Sequence, residues 1–296
     1  MREEIKKIQD MMETADYVTD RAIATSVHLA MSLRKPLLIE GHAGVGKTEV
    51  AKVMARMLDT RLIRLQCYEG LDANQALYEW NYPKQILHIK LEESSQHSLA
   101  QKEAAIFSEP FLIRRPLLQA ISENGKPPVL LIDEVDRSDE EFESFLLEVL
   151  SDYQVTIPEL GTIKAVSPPY VILTSNRIRE LSDALRRRCL YLWMDFPGFD
   201  KEVRIVTRKV TGVNEQLARQ ITRFMETLRT VRLSKVPGVA ETLDWAQALV
   251  SLHADHLDAD LVDETLGCIL KDPDDIRRVK RQIETEGMKR FLALES

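Results

Sequence analysis

The sequence predicts an α/β fold, with a parallel five-stranded sheet between helices followed by a small all-α domain. Three observations lead there. Between residues 36 and 193, short apolar runs alternate with stretches of helical periodicity, the pattern of a parallel sheet covered on both faces. A glycine-rich loop joins the first apolar run directly to a helical stretch. After Phe196-Pro197-Gly198 the strand-like runs stop and only helical patterns remain. Pro197-Gly198 is the expected boundary, giving domains 1–197 and 198–296. A chain of 296 residues suits two domains better than one.

In order along the chain, Ile5, Ile8, Met11 and Met12, then Ala22, Ile23, Val27, Ala30 and Met31, recur at helical spacing and predict two helices within residues 1–34. Pro36-Leu-Leu-Ile-Glu40 is a buried strand that stops at glycines. Thr48 to Leu58 is a helix, and Arg61 to Leu65 a second strand. Residues 68–126 carry weaker patterns. Helices are expected from Glu92 to Ala105 and from Pro116 to Glu123, the latter ending at Asn124-Gly125. Val129 to Ile132 is the third strand and Phe142 to Leu150 a helix. Val155–Ile157 and Thr162–Lys164 flank Pro158-Glu-Leu-Gly161, which predicts a β-hairpin insert near 154–166. Tyr170 to Thr174 is the fourth strand, and Leu190 to Trp193 the fifth, entered from a short helix. Helices are expected near 200–210, 214–230, 239–252, 258–270 and 273–290.

Composition sets outer limits. The formal charge of −7 argues against a nucleic-acid clamp, which needs a basic face. Cys67, Cys189 and Cys268 are odd in number and far apart, against a disulfide framework or a structural zinc. The charged N-terminus lacks the apolar core of a signal peptide, and no apolar run is long enough to span a bilayer. A cytoplasmic protein is expected.

Gly41-His42-Ala43-Gly44-Val45-Gly46-Lys47-Thr48 fits G-x-x-x-x-G-K-[ST] throughout, after a strand and opening a helix. The glycines let backbone N–H groups face phosphate oxygens, and the helix start adds its positive dipole end. Lys47 would reach the β- and γ-phosphates of ATP, and the Thr48 hydroxyl would ligate Mg²⁺. Four apolar residues then deliver Asp133 and Glu134 to the carboxyl end of a central strand, where ligands of open α/β sheets bind. Asp133 would hold Mg²⁺ through water, and Glu134 would polarise an attacking water.

Val129-Leu-Leu-Ile-Asp133-Glu134 resembles the Walker B signature of AAA+ ATPases. On that resemblance Asn176, after the strand Val171–Thr174, corresponds to sensor 1, which orients the attacking water. Leu181-Ser-Asp-Ala-Leu-Arg186-Arg187-Arg188-Cys189 resembles the segment that carries the family's arginine finger. Arg188 matches the finger position, with Arg187 the alternative, and a finger acts on the site of a neighbouring subunit in a ring, expected to be hexameric. The hairpin after Glu148-Val-Leu-Ser-Asp-Tyr-Gln-Val-Thr-Ile157 resembles the MoxR branch. Gln66-Cys-Tyr-Glu-Gly-Leu71 and Ala76-Leu-Tyr-Glu-Trp-Asn-Tyr-Pro83 are similar to its CoxD-like group, associated with molybdenum hydroxylases such as carbon monoxide dehydrogenase. This resemblance implies a von Willebrand A domain adaptor and a metalloenzyme client. It departs from MoxR proteins at Pro237-Gly-Val-Ala-Glu-Thr-Leu-Asp-Trp245, where their sensor 2 arginine is missing.

The rival readings are a DNA-acting, clamp-loader-like protein, disfavoured by the acidic charge, and a nucleotide-gated interaction module with little hydrolysis. His253 and His256, with Asp255 and Asp258, read as a polar helix end rather than a metal site. The backbone of His42 is expected to matter more than its ring. Trp80 and Tyr82 are either core or partner-facing. Asp136-Arg137-Ser138-Asp139 reads as a turn with a helix cap, in preference to a contact across the subunit boundary.

Overall fold

The computed structural model describes residues 2–92 and 98–292. Nine strands are present among these: β1 Leu37–Gly41, β2 Leu62–Gln66, β3 Tyr78–Trp80, β4 Leu112–Arg114, β5 Val129–Asp133, β6 Gln154–Ile157, β7 Gly161–Lys164, β8 Tyr170–Ser175 and β9 Leu190–Met194. Five of them form one sheet in the order β2-β5-β8-β1-β9. The β2–β5, β5–β8 and β8–β1 pairings are all parallel. The inner strands explain their own sequences. β1 and β5 are buried at every residue, and β8 at all but its first, so each reads as a continuous run of Leu, Ile and Val. At the edge, β2 alternates buried Ile63 and Leu65 with exposed Arg64 and Gln66.

Contacts group the chain into two compact units. One comprises residues 1–11, 20–40 and 48–193; the other comprises 12–19, 41–47 and 194–296. The first contains the sheet up to Trp193. Its core joins Ile63 and Leu65 of β2, Leu130 and Ile132 of β5, Leu173 of β8, and Leu146 and Val149 of the helix Glu140–Asp152. Asp139 caps that helix, accepting from the backbone N–H of Phe142 at 2.8 Å. The hairpin follows directly, with β6 antiparallel to β7 and Val155 opposite Ile163.

The second unit is helical among its described residues beyond Met194: Phe199–Lys209, Glu215–Leu228, Val239–Ser251, Ala259–Ile269, Pro273–Glu286 and Met288–Leu292. Each of three starts is fixed by a side chain, Asn214, Asp258 and Asp272, accepting from the first turn. Trp245 is fully buried, packs on Phe224 with ring centroids 5.0 Å apart, and donates its indole N–H to Thr265 at 2.8 Å. A buried ion pair ties the helices: Arg229 gives Nη1 and Nη2 to the two oxygens of Glu202 at 2.6 and 2.7 Å. Thr242 donates to Glu202 at 2.7 Å, so the start of the helix Val239–Ser251 joins the same network.

Residues 68–126 differ most from the expectation. Short helices occupy Ala73–Leu77 and Tyr82–Leu91, and β3 pairs antiparallel with β4. The helix expected from Glu92 to Ala105 is corrected to Leu99–Ile106, because Glu92 closes the preceding helix and Ser98 caps the next one; residues 93–97 lie outside the described residues. The helix expected over 273–290 is divided at Gly287, whose φ of 77° lies outside helical geometry. Trp80 is core, edge-on to Phe107, whereas Tyr82 is exposed. Among the described residues no helix is long and apolar enough to cross a membrane.

Candidate functional site

The carboxyl end of β5 gathers a dense polar cluster. The strand buries Val129 to Ile132 and brings Asp133 to its end, only 2% exposed. Asp133 Oδ1 accepts from the hydroxyls of Thr174 at 2.5 Å and Thr48 at 3.0 Å. Asp133 Oδ2 accepts from Arg64 Nε at 2.9 Å and Nη2 at 2.6 Å. Strand register makes this possible, since Gln66 of β2 pairs with Asp133 and Ile132 with Leu173 of β8, next to Thr174.

Glu134 leaves the strand in the left-handed region, with φ of 54°, a conformation that costs a non-glycine residue on the order of 1–3 kcal/mol. Its backbone N–H donates to Thr174 Oγ1 at 2.9 Å, which holds the turn. Its carboxylate is thereby offered to three partners. Asn176 Nδ2 donates to Oε1 at 3.3 Å, Gln66 Nε2 donates to Oε2 at 3.1 Å, and Arg137 Nε lies 2.7 Å from Oε2.

Two buried acids fix the segment that follows β8. Asp136 accepts the backbone N–H groups of Asn176 at 3.0 Å and Ile178 at 2.9 Å. Glu143 accepts the N–H of Ser182 at 2.8 Å and pairs with Arg179 at 2.5 Å. Ser182 in turn caps the helix Asp183–Arg188. Arg186, Arg187 and Arg188 are all exposed. Arg186 lies over the Tyr191 ring, and Arg188 donates to the Ser151 hydroxyl.

The loop 41–47 is built for close backbone approach. A Cβ at Gly41 would stand 2.0 Å from the Met194 carbonyl oxygen, so no larger residue fits. Gly46 has φ of 95°, which β-carbon-bearing residues rarely adopt. Val45 is buried, and the Gly44 carbonyl accepts from Ala240 N–H at 3.2 Å. A Cβ added at Gly238 would meet the Ala43 carbonyl oxygen at 2.6 Å. Lys47 is buried and donates to the carbonyls of Gly41 at 2.8 Å and His42 at 2.6 Å. The His42 ring has a contact of its own, stacked on Phe196 with centroids 4.7 Å apart.

The chemistry of these donors suits a hard cation. Thr48 Oγ1 and Asp133 Oδ1 are neutral and anionic oxygens in contact, the ligand type that Mg²⁺ takes from protein. Cys67, next to Gln66, adds no nucleophile. Burial, then the neighbouring Asp133, Asp136 and Glu134, push its thiol up to about 12, and burial does the same to Cys189.

A family model described as an AAA domain of the dynein-related subfamily matches residues 36–189, more than half of the chain. The chain belongs to this family. Uncharacterized proteins of Staphylococcus are similar to this AAA protein: one of Staphylococcus haemolyticus is 24% identical over 243 residues, covering 79% of this chain and 82% of its own. One of Staphylococcus aureus is 25% identical over 241 residues, with coverage of 79% and 82%. Among solved structures, a candidate ATPase of Cytophaga hutchinsonii aligns with a TM-score of 0.51 at 16% identity, over 98% of this chain and 94% of that one. A variant of the RuvB protein of Thermotoga maritima aligns with a TM-score of 0.50 at 16% identity, over 98% and 83%. At such identities these likenesses show the fold alone.

Within the AAA domain, the structure brings Thr48, Asp133, Glu134 and Asn176 into one hydrogen-bonded cluster. Sequence reading missed Arg64, Gln66, Arg137 and Thr174. Arg64 and Gln66 are two apart on an edge strand and so share a face; a polar pair at that spacing beside apolar Ile63 and Leu65 was the available signal. Arg229 was also missed. The Pro237–Trp245 stretch lacks an arginine of its own, and Arg229 instead reaches Thr242 at 3.1 Å and the Pro237 carbonyl at 3.0 Å.

Proposed function

We propose that this AAA protein is an ATPase that hydrolyses Mg·ATP at the subunit interfaces of a hexameric ring and uses the cycle to remodel a client protein. The observation that carries the reading is the contact between the Thr48 hydroxyl and Asp133, with Glu134 one residue on and held by Asn176. Gly41, His42, Ala43, Gly44, Val45, Gly46, Lys47 and Thr48 would bind the nucleotide phosphates, with Lys47 as their point charge. Thr48 and Asp133 would hold Mg²⁺. Bound there, the ion neutralises charge on the phosphates. Glu134 takes a proton from the attacking water as Asn176 orients it. The exposure of Arg188 supports a role in trans, where it would stabilise charge in a neighbour's site.

The finer assignment to the MoxR branch and its CoxD-like group rests on the stretches 66–71 and 76–83 and on the hairpin β6–β7. It implies a von Willebrand A domain adaptor and a molybdenum-hydroxylase-type client. Co-purification from the host would identify both.

The test of the ATPase is a matched set of variants. Lys47→Ala is expected to lose ATP binding in calorimetry. Glu134→Gln is expected to keep binding and to lower turnover by about 10²–10⁴. Mixing Glu134→Gln with Arg188→Ala is expected to restore activity above that of either alone, because some mixed interfaces regain both groups. Wild-type turnover in Glu134→Gln refutes the assigned base; no gain on mixing refutes the shared site.

A further inference from the structure

Arg64 stands two residues before the end of β2 and spends two N–H groups, Nε and Nη2, on a single oxygen of Asp133. Its Nη2 also donates to Gln66 Oε1 at 2.5 Å. The other oxygen of Asp133 already takes the Thr174 and Thr48 hydroxyls. Both carboxylate oxygens are therefore occupied by donors from the chain itself. The two partners differ in freedom: the Asp133 side chain is 3% exposed, and that of Arg64 is 51% exposed. The acceptor is fixed, while the guanidinium can withdraw toward solvent without crossing packed core.

A divalent cation arriving at Asp133 meets two obstacles. It must take Oδ2 from two charge-assisted hydrogen bonds, or else sit at Oδ1 within a few ångströms of a full positive charge. We propose that Arg64 is a built-in counter-cation of Asp133 that makes divalent-metal binding conditional on nucleotide. Alone, the Asp133–Thr48 pair is a poor metal ligand because Arg64 has already neutralised it. Nucleotide phosphates add the negative charge that lets the metal prevail over the guanidinium. Metal and nucleotide then raise each other's affinity by the same factor, and Arg64 sets part of that factor. The inference rests on the nucleotide-site reading given under Proposed function.

The experiment titrates Mn²⁺ into the full chain at low ionic strength, following free Mn²⁺ by its electron paramagnetic resonance signal, with and without ADP. ADP binding is measured separately, in EDTA and with saturating Mn²⁺, with a fluorescent analogue. The wild type is expected to bind Mn²⁺ weakly without ADP and far more tightly with it. Arg64→Gln, and Arg64→Met as a second neutral variant, are expected to bind Mn²⁺ about tenfold more tightly than wild type without ADP, since a unit charge beside the ligand is gone. The gain from adding ADP then shrinks by a similar factor. Arg64→Lys, which keeps the charge, stays near wild type. Asp133→Asn removes the gain in the double variant. If neither neutral variant binds Mn²⁺ more tightly than wild type, or if the gain survives Asp133→Asn, the inference is overturned. Absence of ADP binding to the wild type both in EDTA and with saturating Mn²⁺ would instead refute the nucleotide site, and the Mn²⁺ comparison without ADP still decides the role of Arg64.

Discussion

Two arginine–carboxylate pairs, one in each unit, are built from the same groups to opposite ends. In the helical unit Arg229 meets both oxygens of Glu202, and the two side chains are 8% and 1% exposed. Its remaining Nε donates to the Pro237 carbonyl, and its guanidinium lies 4.6 Å from the centroid of the Phe196 ring. Each of its three nitrogens donates, and little of the pair meets water. In the α/β unit Arg64 meets one oxygen of Asp133 and leaves half its own surface in solvent. A bidentate, sealed pair is a joint: removing one partner strands a buried charge. A one-oxygen pair with an exposed arginine is exchangeable, as the metal-holding role proposed for Asp133 requires. Burial, more than charge, separates the two.

The contrast is sharpest in stability. Arg229→Met is expected to destabilise the protein by about 3–5 kcal/mol, because Glu202 would remain buried without its partner; denaturant melts check this, and a loss under 1 kcal/mol would erase the distinction. Arg64→Gln in the same melts is expected to change stability by no more than about 1 kcal/mol, since the pair is screened on the arginine side and Asp133 keeps the Thr48 and Thr174 hydroxyls. The smallest effect belongs to an open pair in the helical unit. Hydrogen bonding from Lys209, followed by its charge and the Arg208 contacts, lowers the Asp16 carboxyl below its usual value. That contribution is complete above the unfolded carboxylate pKa and fades as pH falls through the folded one. Asp16→Asn should therefore cost about 0.5 kcal/mol at pH 7, and progressively less as pH falls through the lowered pKa of the folded state.

How far the sequence reveals these features depends on how local each one is. β1, β5 and β8 are buried on both faces, so their apolar runs announce themselves, and the loop 41–47 has a fixed spacing tied to its backbone. The helix Tyr82–Leu91 does the opposite. It buries Gln85 and exposes Tyr82, Ile86 and Leu87, so apolar periodicity points to the wrong face. β3 and β4, three residues each, are too short for alternation to register. Asp139 was legible as a cap because its partner is three residues away; Asp136 was not, because it serves amides about 40 residues on. Arg64 finds Asp133 only through the register of β2 against β5.

The amides of Asn176, Ile178 and Ser182 are bonded to carboxylates rather than to carbonyls. Deuterium uptake at these three sites is therefore a direct reporter on Asp136 and Glu143, separately readable at either end of a seven-residue stretch. A fast Ser182 beside slow Asn176 and Ile178 means that the mooring near the arginine helix has slipped while the one beside Glu134 holds. The reverse pattern means that the Glu134 end has let go first. Isotope kinetics on three backbone positions can thus tell in which order the two ends of this strap loosen.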